Sequence, residues 1–180
     1  MEKTRIALIL TTLVSGSALA AETGTITFTG LLTDTTCNVD IGGSGADAAV
    51  VLPTVSVASL SSPTQTTGKT RFTLNLSGCS GSLTNAKAFF EAGSTVDNAT
   101  GRLINTDTTG AKFVSLQLRD GQNDTVINVG DVSQTGTTAT GYVDISGGTA
   151  SLPYFVEYYA EGTTTPGTVA SQVTYSLDYK

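Results

Sequence analysis

Apolar and polar residues alternate along most of the chain after residue 23, and a period of two is typical of half-buried β-strands. The clearest run is at the C-terminus. There Val169, Ser171, Val173, Tyr175, Leu177 and Tyr179 alternate with Ala170, Gln172, Thr174, Ser176 and Asp178. Residues 69–77 and 113–119 alternate in the same way, and no comparable helical periodicity appears in this part of the chain. The pattern therefore predicts an all-β protein.

Turn-forming residues separate the predicted strands. Strands are predicted at residues 24–32, 31–39, 50–57, 69–77, 86–92, 113–119, 126–129, 140–145, 152–160 and 167–179. Residues 42–45, 96–101 and 130–138 are rich in Gly, Asn, Ser and Thr and are predicted to be turns or exposed loops. Short strands at such spacing indicate a sandwich or barrel, and neither an internal repeat nor a dividing linker is evident.

Composition limits the kind of partner. The chain of 180 residues carries a net charge of −6 and only 13% charged residues. Nucleic acids and anionic lipids both favour proteins with clustered Lys and Arg, so neither is expected as a partner.

The N-terminal segment resembles an export signal. Lys3 and Arg5 precede a short apolar stretch at residues 6–14, and Ala18-Leu-Ala20 supplies small residues for cleavage. The alternative is a membrane anchor, but this stretch is too short to span a bilayer. We therefore predict a signal peptide at residues 1–20 and a mature chain outside the cytoplasm.

The chain has two cysteines, Cys37 and Cys79, and no histidine. In an oxidising compartment they are expected to form a structural disulfide. A zinc site is the alternative, but two cysteines without histidine make a poor ligand set. We expect no metal and no cofactor.

The first predicted strand places Gly24, Ile26, Phe28, Gly30 and Leu32 on one face. An isolated strand with an apolar face requires a partner for its side chains and for its backbone N–H and C=O groups. Alternation alone leaves two interpretations open: a donated strand, or an ordinary first strand of a sandwich.

Four motifs in this order resemble the chaperone–usher pilus subunits of the type 1 fimbrial protein family. Residues 24–30 (GTITFTG) look like its donor strand, and residues 36–39 (TCNV) and 72–79 (FTLNLSGC) look like its two cysteine motifs. Gly167 and the alternating run to Tyr179 resemble its C-terminal pattern. Residues 39–47 (VDIGGSGAD) are similar to the shaft subunits of type 3 fimbriae. Glu22 departs from relatives that carry an apolar residue near this position.

This resemblance implies an incomplete immunoglobulin-like sandwich at residues 33–180, completed by residues 21–32 of a neighbouring subunit. It implies a donor strand with Gly24, Ile26, Phe28, Gly30 and Leu32. The implied acceptor groove and chaperone-recognition residues are Gly167, Val169, Val173, Tyr175, Leu177 and Tyr179. The expected partners are related pilin subunits, a periplasmic chaperone, an outer-membrane usher and a host receptor. The expected location is the cell-surface fimbrium, reached through the periplasm.

Two other classes of function remain as alternatives. An enzyme is disfavoured, because a chain without histidine has no Ser-His triad or usual zinc-hydrolase ligands and because no nucleophile or phosphate-loop motif appears. A carbohydrate-binding tip adhesin or secreted binding module would use exposed aromatics. The only aromatic cluster is Tyr154, Phe155, Tyr158 and Tyr159.

Overall fold

The computed structural model describes residues 24–136 and 138–180. The predicted signal peptide and residues 21–23 of the predicted donor segment lie outside the described residues. Ten strands make up the fold: β1 (Thr36–Ile41), β2 (Thr66–Ser80), β3 (Asn85–Phe90), β4 (Val96–Asp97), β5 (Arg102–Ile104), β6 (Val114–Asp120), β7 (Val126–Ile127), β8 (Val143–Asp144), β9 (Thr149–Ala160) and β10 (Tyr175–Tyr179). Within the described ranges, the only helical elements are short 3-10 turns at Val57–Leu60 and Val132–Gln134. The prediction of an all-β fold is confirmed.

The strands form two antiparallel sheets. Seven strands form the larger sheet, in the order β1-β2-β9-β6-β5-β4 with β7 beside β6, and the smaller sheet has the order β10-β3-β8. The long pairing of β2 with β9, from Thr66 opposite Tyr159 to Ser77 opposite Thr149, is the centre of the large sheet. A register shift between Thr67 and Thr70 bends β2 near its start.

The apolar core lies between the sheets. Leu74, Leu116, Leu118 and Leu152 of the large sheet pack with Ala86, Ala88 and Phe90 of the small sheet, and all are buried. Phe90 and the ring of Tyr154 meet edge-to-face with centroids 5.0 Å apart. The Tyr154 hydroxyl accepts a hydrogen bond from the backbone N–H of Ala88 at 2.9 Å. Burial raises the pKa of Tyr154 to about 12, so this hydroxyl stays protonated.

The outer face of the large sheet is polar but partly buried. Glu157 and Gln117 are each 5% exposed. The Glu157 carboxylate accepts hydrogen bonds from Gln117 at 2.9 Å and from Arg119 at 3.2 Å. Alternation places Gln117 on the face opposite Leu116 and Leu118, but it does not predict the burial of Gln117.

Several predicted boundaries are wrong. Residues 96–101 were expected to be an exposed loop, but Val96 is buried and starts β4, which pairs with β5. Residues 31–35 were expected to be a strand, but β1 begins only at Thr36, and residues 50–56 form no strand. The last strand is shorter than predicted, since ladder pairing begins only at Tyr175.

Gln134 is a buried polar residue that links a loop to the core, and we predict that Gln134→Ala destabilises the protein. Its amide accepts from the Phe90 N–H at 3.0 Å and donates to the Phe90 C=O at 2.9 Å and to the Asn128 C=O at 3.1 Å. Truncation leaves the buried Phe90 N–H without a partner, while the two carbonyls keep the Gly130 and Asp131 N–H groups, and we expect a loss of about 1–3 kcal/mol in urea unfolding. Gln122→Ala is the matched control. Gln122 is exposed and its amide makes one bond, to Gly141, so equal losses in both variants would contradict this account.

Candidate functional site

A long open groove of about 990 Å³ runs between β1 and the last segment of the chain. Apolar side chains from both sheets form its floor: the half-buried Phe72 and the buried Leu74, Phe90, Leu103, Leu116, Leu118 and Val156. One wall is β1 with residues 46–50 and Leu52, and the other is residues 171–177 with Tyr179. The groove thus gives access to the core from one side of the sandwich.

The first wall leaves its backbone largely unpaired. Within the described residues, β1 pairs with no strand other than β2, so no strand covers its other edge. Beyond the turn at residues 42–45, the chain runs from Ala46 to Leu52 outside any strand. Throughout the described residues, no hydrogen bond involves the backbone of residues 47–52. Unpaired N–H and C=O groups beside an apolar surface are the features to which an added strand binds.

The second wall is paired on one side only. The even-numbered carbonyls of Thr168, Ala170, Gln172 and Thr174 accept from Ala111, Thr106, the Thr95 hydroxyl and Glu91, at 2.6–2.9 Å. β10 continues this pairing with β3. Because backbone groups of alternate residues point to opposite sides of a strand, those of Val169, Ser171 and Val173 point away from these partners. No hydrogen bond to them is found within the described parts of the chain.

Ser171 also has a side-chain hydroxyl without a hydrogen-bond partner among the described residues. This Oγ is buried. An unpaired buried hydroxyl costs about 1–3 kcal/mol. Ser171 lines the groove, so a polar atom placed there would recover that cost.

The sequence-predicted acceptor residues divide into two groups. Val173, Tyr175, Leu177 and Tyr179 line the groove. Two tyrosines reach its other wall: Tyr175 donates to the Ala46 C=O at 2.8 Å, and Tyr179 accepts from the Cys37 N–H at 3.1 Å.

Gly167 and Val169 do not line the groove. They precede Ser171, at the end of the groove that we call its mouth. Val169 packs against a small cluster of Leu60, Ala111, Val114 and Ala160. Gly167 has φ 154°, and a Cβ there would lie 2.3 Å from the Ala111 nitrogen. Only glycine fits this position.

Sequence reasoning missed the first wall. Val39, Ile41, Val50 and Leu52 line the groove, yet they were not among the predicted site residues. Their own alternation, Val39 with Ile41 and Val50 with Leu52, was the available signal. Because a Gly-rich turn separates the two pairs in the sequence, alternation did not predict that they form one wall.

The disulfide lies at this wall. Cys37 of β1 is bonded to Cys79 of β2, with their Cα atoms 4.1 Å apart. The bond predicted from the sequence is therefore present, and it fixes β1 to the centre of the large sheet. No other cysteine exists in the chain.

The predicted donor residues are exposed. Residues 24–31 belong to no strand or helix. The exposed fractions are 77% for Ile26, 86% for Phe28 and 99% for Leu32. Gly24 and Gly30 have open space around their Cα atoms. Large apolar side chains left in water are the mark of a surface that has a binding partner.

The aromatic cluster that would serve a carbohydrate site is divided. Tyr154 is buried in the core, and Tyr158 donates to the Pro53 C=O at 3.3 Å. Phe155 and Tyr159 lie on the outer face. The Lys69 ammonium lies 4.5 Å from the Phe155 ring and the Arg102 guanidinium 4.0 Å from the Tyr159 ring. The four rings therefore form no common stacking platform for a sugar.

The described residues contain no group of His, Cys, Asp and Glu side chains placed to hold a metal ion. They also include no helix with the length and apolar character needed to cross a membrane.

Comparison with known proteins identifies the class. Residues 52–180 match the sequence family described as "Type-1 fimbrial protein, A". The chain is 41% identical to the major fimbrial subunit SMF-1 of Stenotrophomonas maltophilia (strain K279a), over 90% of this chain and 95% of that protein. It is 35% identical to the F17 fimbrial protein of Escherichia coli over the whole of both chains.

The fold is also found in a solved fibre. A chain in the structure of a chaperone–usher pilus superposes with a TM-score of 0.56 at 18% identity, over 88% of this chain and 96% of that one. At this identity the likeness shows the fold alone. The sequence matches are closer, and the chain belongs to the type-1 fimbrial protein family.

We predict that the Asp107 carboxylate stabilises the start of the second wall and that this contribution to the free energy of unfolding depends on pH. Its carboxylate accepts hydrogen bonds from the Thr168 and Thr109 hydroxyls, and these lower its pKa from 3.8 to about 2. A lowered pKa stabilises the fold above pH 4, and this contribution is lost as the pH falls toward 2. Asp107→Asn should therefore lower the urea midpoint at pH 7, and the difference from wild type should shrink between about pH 4 and pH 2.

Thr168→Val is the matched variant for that test, because it removes the first of these donors. It should reproduce much of the loss at pH 7, and adding it to Asp107→Asn should cost little more. A difference between wild type and Asp107→Asn that is as large at pH 2 as at pH 7 would disprove the carboxylate's role.

Proposed function

We propose that this chain is a structural subunit of a bacterial fimbria that polymerises head to tail by donor-strand exchange. It is exported through the periplasm to the cell surface, where the fibre supports adhesion. One observation carries the proposal: an apolar groove with unpaired backbone on both walls occurs in the same chain as a segment whose large apolar side chains are exposed.

The donor segment of one copy matches the groove of another in length. Residues 24–32 and residues 171–179 contain the same number of residues, so an extended donor spans the wall from Ser171 to Tyr179. Main-chain hydrogen bonds to both walls would then satisfy the backbone groups that are unpaired in the isolated chain.

Side-chain alternation sets the register of this contact. With Ile26 and Phe28 directed at the groove floor, Gly24, Gly30 and Leu32 share that face and Thr25, Thr27 and Thr29 face outward. Burying Ile26 and Phe28 contributes about 1.5–3 kcal/mol each. A slip of one residue would direct threonines into the apolar floor, which makes other registers unfavourable.

Donor and acceptor are different surfaces of one chain, so their contact does not close on itself. Repetition of such a heterologous contact produces an open filament. Residues 21–32 act as the donor segment and residues 33–180 as the acceptor domain after removal of residues 1–20. The acceptor residues of the last strand are Val173, Tyr175, Leu177 and Tyr179, with Gly167 and Val169 at the mouth of the groove.

An empty groove is a hazard before assembly. Open strand edges and apolar surface promote aggregation. A periplasmic chaperone that places its own strand in the groove would remove this hazard, and an outer-membrane usher would exchange that strand for the donor of the next subunit. We assign no enzymatic activity to the chain, in keeping with relatives that are fimbrial subunits.

A peptide experiment tests the incomplete fold. A chain that begins at residue 33 should unfold at low urea, and a peptide covering residues 21–32 should raise its midpoint. A ligand at 100 times its Kd stabilises the native state by about 2.7 kcal/mol. A Phe28→Asp peptide should have no effect, whereas a Thr27→Asp peptide, altered on the outward face, should act like the unchanged peptide. High stability without peptide would mean that the sandwich is already complete.

Phe28→Asp in the full chain tests polymerisation in cells. We expect the subunit to accumulate in the periplasm with its chaperone and no fibres to form, because a carboxylate cannot be buried in the groove floor without a partner. Thr27→Asp should still give fibres. Electron microscopy of the cell surface and immunoblotting of periplasmic extracts measure the two outcomes. Normal fibres from Phe28→Asp would remove residues 24–32 from the donor role.

A further inference from the structure

Phe113 is an apolar residue in a strained and exposed position. Its φ is 58°, in the left-handed region that L-residues with large side chains avoid, and its side chain is 62% exposed. An exposed ring adds little to the core. The strain is therefore not offset by burial within this chain.

Neighbouring backbone holds Phe113 in this conformation. The Glu161 N–H donates to the Phe113 C=O at 2.8 Å. One residue earlier, the Lys112 N–H donates to the Thr165 hydroxyl at 2.9 Å, and the Thr165 N–H donates to the Lys112 C=O at 3.2 Å. Strain that is fixed on both sides in this way is characteristic of functional positions.

Phe113 has an exposed apolar neighbour. Ile104 is 40% exposed and lies opposite Ser115, two residues along the chain from Phe113. We call Ile104 and Phe113 the Phe113 patch. Beside it, Arg102 binds the Glu161 carboxylate at 2.8 and 3.1 Å and lies over the Tyr159 ring. An apolar centre with an ordered polar rim is the usual anatomy of a protein–protein interface.

The Phe113 patch lies near the mouth of the groove. The Ala111 N–H, two residues before Phe113, donates to the Thr168 C=O at 2.9 Å, and Thr168 leads into the second wall. The sheets of an immunoglobulin-like sandwich are antiparallel, so a strand filling the groove would run opposite to β10. Its C-terminal end then reaches the mouth, and the body of the subunit that donates the strand begins there.

We propose that the Phe113 patch contacts the body of the donating neighbour and forms a second interface between consecutive subunits. The occupant is a second copy of this chain, and the proposal rests on the fimbrial function proposed above. The donor strand supplies the main connection. The Phe113 patch restricts how the two bodies are oriented about it.

Photo-crosslinking of the full chain tests this contact. Phe113 is replaced by p-benzoylphenylalanine, an aromatic of similar shape, and fibres are collected from cells. Donor-linked dimers are then isolated by partial dissociation and illuminated. Dimers are used because consecutive subunits are the only pair they contain. Val132, which is 83% exposed on the second 3-10 turn, receives the same replacement as a control.

We expect a covalent dimer at position 113 in several-fold greater yield than at position 132. Equal yields, or a crosslink that appears in long fibres but not in dimers, would overturn the assignment to consecutive subunits.

The second measurement uses the Phe113→Asn variant. Asn tolerates the left-handed region, so the substitution removes the apolar side chain and keeps the backbone conformation. Its dimers should dissociate several-fold faster than wild type, and Val132→Asn dimers should not; equal rates for both variants would contradict the proposal.

The same samples separate this inference from the proposed function. The second interface alone is wrong under three conditions that hold together. Wild-type chains form fibres, Phe28→Asp chains form none, and position 113 gives no crosslink. If wild-type chains form no fibres, or Phe28→Asp chains form them normally, the donor-strand mechanism fails and the second interface fails with it.

Discussion

Unpaired backbone on the two walls of the groove is the constraint on which the rest of the structure depends. Within the described residues, the backbone of residues 47–52 and that of Val169, Ser171 and Val173 on the groove side make no hydrogen bonds. An unsatisfied amide or carbonyl group beside an apolar surface is costly, and here many are arranged in line. The groove between these two walls is therefore where an additional strand can be accommodated.

The remainder of the sandwich keeps that opening in shape. The disulfide and the β1–β2 pairing hold the first wall. The second wall is held from behind, through β3 and through the carbonyls that accept from Glu91, Thr106 and Ala111. At the C-terminus, Lys180 and Asn85 exchange backbone hydrogen bonds of 2.8 and 2.9 Å. β1 and the last segment of the chain are thus both supported from the side away from the groove.

The sequence pattern predicted the parts of this arrangement that depend on simple alternation. β2, β6, β9 and the last strand were recognised because apolar and polar residues alternate along each of them. Alternation did not reveal β4 and β5, which are short and lie among turn residues, nor the wall at residues 46–52, which is rich in alanine. The buried Glu157 carboxylate bonds to Gln117 and Arg119, which lie 40 and 38 residues away along the chain. Such contacts between distant residues have no signature in local sequence.

The direction of the groove has a mechanical consequence. The second wall runs along the groove through Ser171, Val173, Tyr175, Leu177 and Tyr179. Tension that pulls on a strand lying beside it acts along the strand's length, in shear. All the backbone hydrogen bonds on both sides then resist together, instead of opening one after another as in peeling. A fibre joined by such a strand would withstand a steady pull far longer than its modest number of hydrogen bonds suggests, since escape requires many bonds to break in a single event.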